Sequence, residues 1–358
     1  MGLAAVDQFL RQRGFGNISQ RGTPLAPFYA SLRTAFERTA TYVNPRFRFF
    51  FIEDGTINGI AYSGLWRSYV GLTFGCVSML DAVWRLLLRS NHLLRHLQNG
   101  EKHEQLRHDI QTTFHLCVVG NDRAEVPDSY FEQLKTSADP VRAELSYRLF
   151  KRSLLFLYYH ELSHLGRGHP NLCHATGSQP VILEANGGIG DQPIVSNGRP
   201  WAEHEADWLA TIWLLQNEEW LPDEGQNIEI LVEMFIAVGV VFVIFSLAEE
   251  KLGRLSVDHP HPSLRLAHLV EESAEFLVAG ERYPFQDLGL IQIAAERALE
   301  ELAIVGVLAG FDWYQSAEKE TSRGKEQITS TRLSAGREWV EAANQAMRRT
   351  IKRPPPKF

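Results

Sequence analysis

The residues best placed to do chemistry are His160, Glu161 and His164, in the run His160-Glu161-Leu162-Ser163-His164. On a helix each residue turns by roughly 100°, so positions four apart lie about 40° from each other and both imidazoles can face one metal ion. Glu161 sits one step round the helix. From there its carboxylate is poorly placed as a third ligand but can take a proton from a water beside the ion, the general-base role of an H-E-x-x-H arrangement. Leu145, Leu149, Ser153 and Phe156 fall on the same helical face as the two histidines, which therefore extend a core stripe. Imidazoles pressed against a core leave nitrogens that need a partner, and a cation satisfies them. Composition alone would produce about 0.06 such patterns in a chain of this kind, so coincidence is a poor account.

A catalytic zinc takes three protein ligands and keeps one position open. The extended metzincin pattern H-E-x-x-H-x-x-G-x-x-H does not supply the third, because Arg167 stands where its glycine belongs, Pro170 stands where its histidine belongs, and His169 is one residue out of register. Downstream, Glu203 and Asp207 open a new helical segment, WAEHEADWLATIWLL, and share a face with Ala210 and Leu214. Packed on the first helix, that face makes Glu203 the third ligand and Asp207 an acceptor for a ligand imidazole N–H. Glu205 is the substitute ligand, with His204 and Glu205 otherwise pointing elsewhere. An acidic first turn favoured by the helix dipole would also explain these acids.

These side chains need elements to hold them. The chain has 358 residues, a net charge of −7 and 44% hydrophobic residues, enough for a real core. Such a balance argues against a generic nucleic-acid or anionic-membrane surface. Three cysteines without a C-x-x-C pair argue for a reducing compartment. The N-terminal MGLAAVDQFLRQRG does not read as a signal peptide, because Asp7 and Gln8 interrupt the apolar stretch. Residues 46–79 read as a small antiparallel sheet with a hairpin turn at Asp54-Gly55. Residues 80–98 read as a helix, 111–119 as one more strand, and Val141 to Gly166 as a long helix. The Gly- and Pro-rich stretch 168–200 reads as a loop between ligands two and three, a lid over the cleft. Helices are expected at 201–218, 226–250, 262–279 and 286–309. The apolar run Met234 to Ala248 is short for a membrane span and is expected to be a core helix. The expected organisation is an N-terminal segment 1–45, a metal-binding domain 46–310 and a charged tail 311–358 with one helix near 336–349.

HELSHLGRGH followed by EHEAD resembles the gluzincin peptidases, in particular the CAAX-protease and HtpX branch with its H-E-x-x-H then E-x-x-x-D. The run His259-Pro260-His261-Pro262-Ser263-Leu264-Arg265-Leu266 is similar to that branch's H-P-P-x-x-x-R-[IL] segment. The resemblance implies that His259 stabilises an oxyanion, that Arg265 braces the site, and that a sheet edge before the metal helix binds extended peptide. Apart from the run 234–248, the membrane branch's transmembrane helices have no counterpart here. H-E-[LF]-[AS]-H with G-H shortly after, then E-x-x-A-D, looks like the soluble Lit-type peptidases of phage exclusion, over about 46–269. ImmA-type repressor-cleaving peptidases share the first motif. The resemblance implies an α+β, mainly helical zincin-like core and a cytoplasmic zinc endopeptidase acting on a specific intracellular protein, with a protein substrate and a regulatory partner, and with no nucleic acid and no stable membrane insertion. A zinc-stabilised interaction or regulatory subunit without turnover, or a non-peptide zinc hydrolase, fits the same residues.

Overall fold

The computed structural model describes residues 3–12, 16–19, 27–55, 57–64, 66–94, 97, 100, 104–119, 137–171, 181–183, 199–221, 223–252, 262–279 and 288–310. The fold is α+β and mostly helical. Its helices are α1 (Leu3–Gln12), α2 (Pro27–Val43), α3 (Phe74–Arg89), α4 (Glu104–Val119), α5 (Pro140–Arg167), α6 (Arg199–Asn217), α7 (Glu224–Leu252), α8 (Pro262–Ala279) and α9 (Leu288–Ala309). Strands β1 (Ile18–Ser19), β2 (Phe47–Ile52), β3 (Gly59–Tyr62), β4 (Ser68–Thr73) and β5 (Val181–Leu183) form one sheet in the order β1-β2-β4-β3-β5.

The sheet is mixed, which corrects the expected antiparallel one. β2 runs parallel to β4, and β3 is antiparallel to both β4 and β5. Asp54-Gly55 therefore does not close a hairpin between neighbours; the chain passes over β4's position and β3 pairs on its far side. Gly71 shows why β4 suits the middle. It pairs with Phe50 on one flank and Ile60 on the other, and a Cβ there would meet the Phe50 ring at 2.5 Å and Ile60 Cγ2 at 2.6 Å. Glycine lets the two neighbours' side chains meet across the strand. In β2, Phe47, Phe49 and Phe51 enter the main core, while Phe50 and Ile52 join Val6, Leu10 and Tyr69 in a small core on the opposite face. This is the period of two expected of a strand buried on both sides.

Further differences from the sequence expectation have local causes. Strand character ends at Thr73, whose side chain caps α3 by accepting from the Cys76 N–H. Residues 111–119 belong to α4, because Leu106, Ile110, Phe114 and Cys117 are buried at spacings of three and four. The stretch 168–200 contributes β5, and the described residues of 1–45 hold two helices and a strand. Most of 168–200, the whole tail 311–358 and His259 lie outside the described residues.

Helix α5 is the axis of the fold, buried continuously from Arg152 to Arg167. Asp139 caps its start by accepting from the N–H groups of Val141 and Arg142, with Pro140 following, and Gly168 ends it in the left-handed region at φ 74°. Side chains pin it at successive turns. The buried Arg142 guanidinium donates to the carbonyls of Leu88 and Ser90 at the end of α3, at 3.1 and 3.0 Å. Ser153 Oγ accepts from Trp84 Nε1 on α3 at 3.0 Å and donates to the Ala237 carbonyl on α7 at 2.7 Å. Tyr158 donates to the Phe36 carbonyl on α2 at 2.7 Å. Arg152 bridges Glu218 and Glu233.

Within α7, Gly225–Leu247 is long and apolar enough to cross a membrane by length and composition, yet 89% of its 18-residue apolar window is buried inside the protein. It packs against α4, α5, α8 and α9, as the core-helix reading expects. At Gly239 the approach to α9 is so close that a Cβ would lie 2.2 Å from Leu302 Cδ1. Gly239→Val is therefore expected to destabilise the fold by about 1–3 kcal/mol through overpacking, seen as a lower urea midpoint with an unchanged slope.

Candidate metal centre

The last turns of α5 and the first turns of α6 pack together, and three donor groups converge where they meet. His160 Nε2 and His164 Nε2 are 2.9 Å apart, and Glu203 Oε2 lies 3.3 Å from the first and 3.6 Å from the second. Tetrahedral zinc with bonds of about 2.0–2.1 Å separates its ligand atoms by about 3.3 Å. All three residues are buried, and their donor atoms form the metal-competent group found among the described residues. Burial depresses the His164 imidazolium to about 4, only partly opposed by Glu203, so the ring is neutral and available as a ligand near neutral pH. The donor set and its spacing fit a divalent cation held by His160, His164 and Glu203.

Two sets of groups lie behind the histidines. His160 Nδ1 is 2.8 Å from Asp207 Oδ1, as the four-residue step from Glu203 on α6 leads one to expect. Asp207 in turn accepts two bonds from Arg265 of α8, at 2.7 and 2.9 Å, and Arg265 also comes within 3.8 Å of Glu203 Oε2. Burial would raise the Asp207 carboxyl, but Arg265 and then His160 outweigh it and hold the group down at about 2. The Arg265 guanidinium sits over the Phe242 ring, 5.0 Å from its centroid, which ties α8 to α7.

The second set escaped the sequence reading. His164 Nδ1 lies 2.8 Å from His169 Nδ1, His169 Nε2 lies 2.9 Å from Glu205 Oε2, and Arg167 pairs with the other oxygen of Glu205. Glu205 thus stands behind the ligands and outside the three-donor group, while His204 turns away to Glu272 at 2.9 Å. His169 is out of register as a helical ligand, but Gly168 reverses the chain and returns it to His164. A glycine followed by histidine at the end of the metal helix was the available signal.

Glu161 is buried and lies over the first residue of β3. A Cβ on Gly59 would stand 2.3 Å from Glu161 Oε1, so only glycine admits the carboxylate there. The start of β3 is itself fixed: Asn58 Oδ1 accepts from Gly59 N–H at 2.9 Å, and the Asn58 carbonyl accepts from the Cys76 thiol at 3.0 Å. Burial pushes that thiol up to about 12, which makes it inert.

Purified protein is expected to carry about one zinc per chain, lost in both His160→Ala and Glu203→Ala, as read by plasma mass spectrometry. Asp207 also sets an acid limit on the metal-free fold. Its carboxyl is depressed from 3.8 to about 2, so its contribution, on the order of 2 kcal/mol, is complete above about pH 4 and is lost as the pH falls toward 2. Urea midpoints measured between those limits should fall less steeply in Asp207→Asn than in the wild type.

Compared with known proteins, the chain matches no family model, no curated protein and no solved structure.

Proposed function

We propose that this chain is a zinc-dependent endopeptidase with a zincin-like core of the gluzincin kind, acting on a specific protein substrate. The observation that carries the reading is the convergence of two histidines and one glutamate from two helices, with a further glutamate, Glu161, next to the first ligand and buried against β3. Two imidazoles and a carboxylate suit zinc and leave room for an open position, which is the ligand set of a catalytic site rather than of a closed structural one. The ion supplies Lewis acidity, lowering the pKa of a water and polarising a carbonyl.

The chain's own residues do the rest. Glu161 accepts the proton of the attacking water and passes it to the departing amine. Asp207 and Arg265 keep His160 in the tautomer that presents Nε2 to the ion. Gly59 leaves the space in which the Glu161 carboxylate stands. The assignment of His259 to an oxyanion rests on the resemblance of its motif alone, as do the phage-exclusion role and the intracellular target.

The test compares newly formed protein N-termini in cells producing the wild type and Glu161→Gln. New termini are expected with the wild type and none with Glu161→Gln, while both retain zinc and the same thermal midpoint. Loss of the base should slow cleavage of an identified target by about 10²–10⁴-fold, and Gly59→Ala should act in the same direction by displacing that base. Identical termini in both cell populations would sink the peptidase reading and leave a metal-stabilised module without turnover.

A further inference from the structure

The two metal histidines are backed differently. His160 has a carboxylate directly behind it, at 2.8 Å. His164 has another imidazole, with the carboxylate one bond further out. The direction of each hydrogen bond in that second chain follows from chemistry. An imidazole that binds a cation through Nε2 carries its proton on Nδ1. His164 Nδ1–H must then donate to His169 Nδ1, which has to be bare. A neutral His169 keeps its one proton on Nε2, and that proton points at Glu205 Oε2, whose other oxygen is occupied by Arg167.

We propose that His169 is a positioning residue of the metal centre, a neutral relay that fixes His164 as an Nε2 ligand and connects it to the Glu205–Arg167 pair. The inference rests on the metal-site reading above and deepens it. Both ends of the relay are held. Gly168 turns the chain so that the His169 ring meets the His164 ring, with centroids 5.0 Å apart. Glu205 comes from α6 only two residues after the third ligand, so the α5–α6 contact that brings Glu203 to the ion also brings the relay's terminus to His169. Arg167, from the last turn of α5, neutralises that terminus. All of these groups are buried or nearly so, His169 completely. Without His169, the Nδ1–H of His164 would lose the acceptor that stands 2.8 Å away.

The arrangement also makes the two ligands unequal. A carboxylate behind His160 strengthens that ring as a donor, whereas a neutral imidazole behind His164 strengthens it less. His164 is therefore the weaker donor of the pair, and the ion keeps more of its Lewis acidity than two carboxylate-backed histidines would leave it.

The experiment uses the full chain with zinc as the probe and has readouts independent of peptide cleavage. Zinc affinity, measured by competition with a chromophoric chelator, should fall about 10–100-fold in His169→Leu. It should largely recover in His169→Gln, whose amide can accept from His164 and donate to Glu205. Long-range ¹H–¹⁵N spectra of the ¹⁵N-histidine-labelled, zinc-loaded wild type need no variant, so they decide the matter even if His169→Leu does not fold. They should show His164 protonated at Nδ1 and His169 at Nε2. A His169 proton on Nδ1, or unchanged zinc affinity in a folded His169→Leu, overturns the relay. Zinc X-ray absorption showing three bound imidazoles in the wild type overturns it too, by making His169 a ligand. A wild type that binds no zinc would instead overturn the metal-site reading itself.

Discussion

The metal centre depends on one constraint, which is that charge taken out of water must be balanced where it stands. His160, His164, Glu203 and Asp207 are all buried at the junction of α5 and α6. As carboxylates, Glu203 and Asp207 bring two negative charges to a site whose neighbouring cation is Arg265. A divalent ion held by the histidines and Glu203 would offset that negative charge, and neutral imidazoles contribute donors without adding charge. Buried ion pairs of this kind add little net stability against an apolar replacement, but an incomplete set is costly. The cost of incompleteness is what makes the geometry specific.

The same constraint explains why α5 is held so firmly. A site that balances charge over distances near 3 Å tolerates little drift in its helices, and α5 is anchored to α2, α3 and α7 by Tyr158, Arg142 and Ser153. The candidate ligands His160 and His164 lie in its last two turns, after these anchors. Arg265 performs a similar service for α8, joined to Asp207 by two hydrogen bonds and resting on Phe242. Three helices distant in sequence thus share one set of polar contacts at the heart of an otherwise apolar interior.

What could be read from the sequence was whatever depends on neighbours along one helix. The limits of α5 were legible to within a residue, and the Glu203/Asp207 step placed one acid toward the histidines and the other behind a ligand imidazole, though not which imidazole. Arg265 was legible through its motif. Sheet order was not, because Gly71 allows Phe50 and Ile60 to meet across β4 and this depends on three strands at once. Residues 111–119 read as a strand in the sequence, and only the burial of Ile110, Phe114 and Cys117 along one face shows them to be helix. His169 was missed because a helical wheel stops being valid at a left-handed glycine. Beyond Gly168 the register that places ligands no longer applies, and the residue that looked misplaced became the neighbour of one.

Helix α7 bears on how the chain comes to be folded. The helix that carries the apolar run from Met234 packs on α8 and α9, both of which follow it in the chain. During synthesis from the N-terminus, α7 leaves the ribosome before half of its covering exists, and nothing made earlier can enclose it on that side. Until those helices arrive its apolar surface stays exposed on that side, the kind of exposure that makes folding intermediates prone to association. Closing that side of the core therefore has to wait until residue 309 has been made.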